Sequence, residues 1–143
     1  MKIAVTGHRP SKLGDAYDLH HSTNITIGQN MRAFILQKAG YQEKTNTFLS
    51  DKKVTLISGM ALGVDTIWAL VALKLKERYP TKFELECAIP CAKHSSRWKK
   101  VDQDRHADIM ARADIVTMVS EDAYAPYLMQ KRNEYMVDKA DIL

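Results

Sequence analysis

The chain has only two cysteines, no long apolar run, no internal repeat and no low-complexity tract. Cys87 and Cys91 stand four apart around Ile89-Pro90, and no His or Cys partner lies at metal-ligand spacing. No metal site is therefore expected, and the pair reads as free thiols suited to a reducing compartment. No apolar run approaches the roughly 20 residues needed to span a bilayer. The amino terminus, Met1-Lys2-Ile3-Ala4-Val5, is too short for a signal peptide and runs directly into a motif. The expected location is cytoplasmic, with no membrane partner. The net charge is only +4. That suits an anionic small ligand, and with no clustered aromatics it argues against a nucleic-acid partner. Neither hairpin signals nor a domain linker stand out. The 143 residues suffice for one domain, 1–143, with a real core, and leave no room for two.

What is present centres on Ile57-Ser58-Gly59-Met60-Ala61-Leu62-Gly63-Val64-Asp65. The apolar run Val54-Thr55-Leu56-Ile57 before it reads as a buried strand. The run from Thr66 to Lys76 after it is rich in helix formers. Strand, glycine turn and helix is the geometry in which free backbone N–H groups point at an anion. Gly59 is expected to allow a tight turn or a backbone angle closed to other residues, and Gly63 a close approach of strand or ligand. A packing turn that merely needs small residues would look the same. Asp65, in the first helical turn, suits either the helix dipole or a carboxylate aimed back at the glycine turn.

Lys2 to Val5 reads as a first strand of central type, ending at Thr6-Gly7-His8-Arg9-Pro10, where a hydroxyl, an unhindered N–H and two side-chain donors suit phosphate. A helix is expected from about Asn24, as cap, to Ala39, with Ile27, Met31, Phe34 and Ile35 as its buried stripe. Residues 41–53 read as a polar connection or an extension of a helical hairpin. Phe83, Leu85, Cys87 and Ile89 alternate with Glu84, Glu86 and Ala88, the pattern of a strand near one edge. Residues 93–105 read as a basic amphipathic helix with Trp98, Val101, Arg105 and Ile109 on one face. Trp98 or Arg105 at its cleft end would suit a base or a phosphate. Ile115 to Val119 is another strand, stopped by Ser120-Glu121. Pro126 opens a last helix to about Lys139, on which Leu128, Tyr135 and Met136 face the sheet and Arg132 shares that face. Asp141-Ile142-Leu143 resembles the opening of one more strand. The repeated βα pattern implies a three-layer, Rossmann-like α/β fold with a mostly parallel sheet, its last strand cut short.

Thr6-Gly7-His8-Arg9-Pro10 with Lys12-Leu13-Gly14, and Ser58-Gly59-Met60-Ala61-Leu62-Gly63-Val64-Asp65, resemble the SLOG superfamily of nucleotide-binding domains. The likeness is greatest to the small YpsA-like members found in bacteria and their phages. It continues through Ala88-Ile89-Pro90, Trp98, Val119-Ser120 and residues 129–138, nearly the whole chain. DNA-processing DprA proteins and the LOG enzymes, which release a base from nucleoside monophosphates, are more distant relatives. The LOG signature Pro-Gly-Gly-x-Gly-Thr-x-x-Glu is absent here, as is the glycine-rich loop that follows the family's last strand.

The resemblance implies a small-molecule nucleotide ligand, a ribonucleotide or an ADP-ribose-like compound, held at the carboxyl ends of the strands, with no further cofactor. It implies a binding set of Thr6, Gly7, His8, Arg9, Ser58, Gly59, Met60, Gly63, Ser120, Arg132 and Asn133. An alternative expectation is hydrolysis of the N-glycosidic bond of a nucleoside monophosphate, with Glu134 as catalytic carboxylate and Asp65 second. A further alternative is DprA-like binding of single-stranded DNA along Arg97 to Lys100. The incomplete sheet edge favours association with a second copy.

Overall fold

The computed structural model describes residues 1–7 and 19–143. Strand β1 (Lys2–Ala4) is followed by α1 (Ser22–Lys38), the short strands β2 (Tyr41–Gln42) and β3 (Thr47–Phe48), then β4 (Val54–Ser58), α2 (Val64–Arg78), β5 (Phe83–Ile89), α3 (Lys100–Arg112), β6 (Ile115–Met118) and α4 (Pro126–Lys139). The main sheet runs β1-β4-β5-β6, every pair parallel. Beyond β1, Ile142 forms a parallel bridge to Ile3, and the Ala4 N–H donates to the Ile142 carbonyl at 2.9 Å. The residues expected to open another strand thus flank β1, which has neighbours on both sides.

The period-two alternation of β5 explains the layers. Leu85, Cys87 and Ile89 join Ile3 and Leu56 against Ile35 of α1, Trp68, Ala69, Ala72 and Leu75 of α2, and Ile109 of α3. Ala4, Ile57 and Ala88 turn the other way, against Met136 of α4. Three helices therefore cover one face and α4 the other. Each fully buried Leu, Ile or Phe in these layers contributes roughly 1.5–3 kcal/mol relative to exposure. Glu86 is buried on the α4 face, where it accepts from the Tyr135 hydroxyl at 2.7 Å and the Thr117 hydroxyl at 3.3 Å. Cys87 and Cys91 are free and buried, and burial, then the charge of Glu86, pushes the Cys87 thiol up to about 12.

Several local expectations need correction. Residues 41–48 form an antiparallel hairpin, not a plain connection. Asn46 supplies its left-handed turn residue (φ 53), a conformation asparagine tolerates. Distant rings hold it: Phe48 stacks edge-on with Tyr79 and Phe83, at centroid distances of 5.1 and 5.6 Å. The buried Lys82 ammonium donates to the Ser50 and Lys52 carbonyls at 2.6 and 2.8 Å and so pins the strand's exit. The expected place of β5 near one edge holds, since only β6 pairs outside it. The α1 cap is His21, whose Nδ1 accepts from the Thr23 N–H at 3.2 Å; Asn24 is a buried helical residue. The basic helix begins only at Lys100, so Trp98 precedes it in a turn and does not share a helical face with Val101.

Among the described residues, no helix is long and apolar enough to cross a membrane.

Candidate functional site

The β4–α2 turn is built from side chains that hold backbone. The Ser58 hydroxyl donates to the Asp65 carbonyl at 2.8 Å and accepts from the Met60 N–H at 3.1 Å. The Thr66 hydroxyl donates to the Ala61 carbonyl at 2.8 Å. The Asp65 carboxylate accepts from the Ala61 N–H at 3.3 Å, so it does reach back over the turn.

The two glycines of the turn have exchanged their expected roles. Gly63, the α2 N-cap, lies at φ 88 and ψ −129, a region closed to side chains. Gly59 has no positive φ and instead makes room: a Cβ there would stand 2.8 Å from both Arg132 Nη1 and Asp65 Oδ2. The strained residue is Met60, buried in the left-handed region (φ 58) at a cost of about 1–2 kcal/mol. Backbone strain of this kind gathers where a site needs a fixed shape. Gly63 has no side chain to cap α2, and the acidic residue of its first turn is Asp65, whose carboxylate faces the Ala61 N–H.

Arg132 of α4 is 4% exposed and lies beneath this turn. Its Nη1 donates to the Gly59 carbonyl and its Nε to Asn133 Oδ1, the latter at 2.8 Å. The helix row Leu128–Arg132–Met136, all buried, explains the direction. Arg132 therefore points inward under the glycine turn. Gly7 closes the third side, where a Cβ would stand within 2.8 Å of the Val64 side chain. Strand β1 can end against the start of α2 only because Gly7 has no side chain.

Beside this frame opens a cavity of about 420 Å³. Ala61 and Leu62 form one wall, the 93–98 turn supplies Lys93, His94, Ser96, Arg97 and Trp98, and Tyr124 with Met129 closes the remainder. The wall is firm. His94 and His106 each pack edge to face on Trp98, at centroid distances of 5.1 and 5.3 Å, and lie tilted against one another at 4.8 Å. Gln103 Nε2 donates to the Ser96 and Trp98 carbonyls, both at 3.0 Å, and holds the turn against α3. Burial, with the charges of His106 and Arg132, drives the His94 imidazole down to about 3, and burial also lowers His106. Both rings are neutral at neutral pH.

The expected site residues fall into three groups. Ser58, Gly59, Met60, Gly63, Asp65, Arg132 and Asn133 meet at the turn, with Gly7 against Val64 and the exposed Thr6 just before it. Ser120 is buried at the end of β6, where its N–H donates to the Pro90 carbonyl and its hydroxyl accepts from the Asp122 N–H, each at 3.1 Å. Glu134 is exposed, accepts from the Gln130 side-chain amide at 3.5 Å, and is not one of the residues that line the cavity. His8 and Arg9 lie outside the described residues. His94, His106, Tyr124 and Met129 were not singled out from sequence. His94 and His106 are twelve residues apart in different elements, and no local periodicity links them. Among the described residues, no group of three or more His, Cys, Asp or Glu is placed to share a metal ion.

A model of the YspA SLOG family matches residues 3–143. The chain belongs to that family. Similar proteins include the UPF0398 protein of Levilactobacillus brevis, 32% identical over 141 residues, 98% of this chain and 68% of that protein. A second is the UPF0398 protein of Macrococcus caseolyticus, 28% identical over 140 residues, 97% of this chain and 69% of the relative. A third, from Oceanobacillus iheyensis, is 26% identical over 143 residues, 99% of this chain and 71% of the relative. This SLOG chain thus spans about two thirds of the length of its relatives. Its family and its parallel sheet together mark a Rossmann-like, nucleotide-related protein.

Proposed function

We propose that the protein binds a nucleotide or nucleotide-derived ligand, a ribonucleotide or an ADP-ribose-like compound, in the 420 Å³ cavity at the carboxyl ends of the strands, as a sensor or sequestering protein. The observation that carries this reading is the meeting of two unlike walls. On one side stands the strained glycine turn at the start of α2, where backbone N–H groups suit a phosphate. On the other stands the Trp98 ring, half-buried and braced by two neutral imidazoles, a flat surface for a heterocycle. Lys93 and Arg97 between them add charge of the right sign. Among the described residues, no carboxylate lines the cavity, which fits a ligand that carries the negative charge itself.

The test is a thermal-shift panel of nucleoside monophosphates, ADP-ribose, NAD and cyclic dinucleotides, with chromatography of the same wells. One class should raise the melting temperature and be recovered intact. Trp98→Ala should then weaken that ligand about tenfold, or ~1.4 kcal/mol, by loss of stacking. No shift with any compound at millimolar concentration would overturn the proposal.

A further inference from the structure

Among the described residues, β6 is an edge strand without the usual protections. Native edges are blunted by lysine, proline, bulges or a covering segment. The strand Ile115-Val116-Thr117-Met118 contains no charge and no proline. Ile115, Val116 and Met118 are 39%, 44% and 45% exposed, on both faces of the sheet. Tyr127, 60% exposed, lies two turns before Tyr135 on the α4 row that reaches Thr117, so it extends the apolar surface.

The backbone sets what can pair there. The Val119 N–H donates to the Ile89 carbonyl at 2.9 Å. Direction alternates along a strand, so Ile115 and Thr117 also turn toward β5, while Val116 and Met118 present N–H and C=O outward. In an antiparallel pair only outward residues can exchange hydrogen bonds. With Thr117 on a two-fold axis, Val116 faces Met118 of the second copy, and Met118 faces its Val116. Ile115 then faces Val119, and the end of α3 at Arg112 approaches Asp122 and Glu121. Such a pairing would bring the exposed Arg112, now 3.3 Å from Asp108, to the same end as the exposed Glu121 and Asp122 of the second copy. The strand is complementary to itself in hydrogen bonds, in apolar surface and in the charges beyond its ends.

We infer that β6 is a self-association edge, through which two copies join antiparallel about a two-fold axis at Thr117 into one continuous eight-stranded sheet, four strands from each. The opposite end of the sheet, where Ile142 adjoins β1, takes no part. A four-residue strand with flanking side chains is small beside the ~800 Å² per partner of a standard interface, so the dimer is weak, with Kd in the micromolar range.

Sedimentation velocity of the 143-residue chain from about 1 to 200 μM tests this. The expected result is a concentration-dependent shift from monomer to dimer. Met118→Lys should raise Kd at least tenfold, with an unchanged circular dichroism spectrum showing that the fold is kept. Arg112→Glu and Asp122→Arg should each weaken the dimer, and the double variant should restore it, because the two charges then meet with signs exchanged. A monomer throughout the range, or a dimer indifferent to Met118→Lys, would overturn the inference. A dimer sensitive to Met118→Lys but not restored by the charge exchange would overturn the antiparallel register.

Discussion

Arg132→Ala is expected to lower the unfolding free energy by about 3–5 kcal/mol, the usual cost of removing one partner from a buried charged arrangement. The guanidinium is almost wholly buried, donates to the Gly59 carbonyl, and lies beside the Asp65 carboxylate within the space a single methyl group would fill. Deleting it leaves a buried carboxylate and a buried carbonyl facing a void. The glycine turn should then lose its fixed shape together with its support, so ligand stabilisation should fall in the same variant. Arg132→Lys should recover little, since an ammonium ion cannot reproduce a planar fork that serves Gly59 and Asn133 at once. Urea denaturation of the wild type and both variants provides the measurement. An unchanged midpoint in Arg132→Ala would show that the turn stands without its arginine.

The second large effect is a loss of stability in mild acid. His94 remains neutral in the folded protein down to about pH 3, because it is buried and lies near His106 and Arg132. In the unfolded chain an imidazole takes up its proton near pH 6.5. Between those values the unfolded state binds more protons, so acid favours unfolding. The stability associated with a neutral His94 is complete above pH 6.5 and is lost as the pH falls toward 3, at up to ~1.4 kcal/mol per pH unit and on the order of 5 kcal/mol in all. Burial moves His106 in the same direction, so its contribution adds. Carboxylates dominate below about pH 5, and the clean window is therefore pH 5 to 6.5. There the melting temperature of the wild type should decline, and that of His94→Phe, which keeps a ring against Trp98, should decline less. Equal slopes would remove His94 as the cause.

The sheet was legible in the chain because its signals are local. Alternation from Phe83 to Ile89 marks a strand whichever strand adjoins it, and Pro126 marks a helix start by its fixed φ alone. What sequence could not show depends on distant partners. The 41–48 hairpin lacks an Asn-Gly turn and is held by Tyr79 and Phe83, more than thirty residues away. At the site, the small residues of the turn were visible, but not which of them was needed for angle and which for space. That division depends on Arg132, which enters from a helix that begins more than sixty residues later. The imidazole pair behind Trp98 left no sequence signal. Its members meet because the 93–98 turn folds back on α3, and Gln103, which ties the two, looks in the sequence like any surface glutamine.

The buried thiols give the chain a built-in gauge of its own opening. Cys87 lies in the middle of the sheet, with its ionisation pushed up to about 12 by burial, and Cys91 is equally hidden. Only the thiolate reacts, so an alkylating reagent finds almost none while the protein is folded. Both sulfurs become ordinary, reactive cysteines once the strands part. The rate at which reagent is consumed should therefore follow the rate or extent of unfolding, without any label added to the molecule. A destabilised variant such as Arg132→Ala should reveal itself by faster alkylation at temperatures where spectroscopy still records a folded protein.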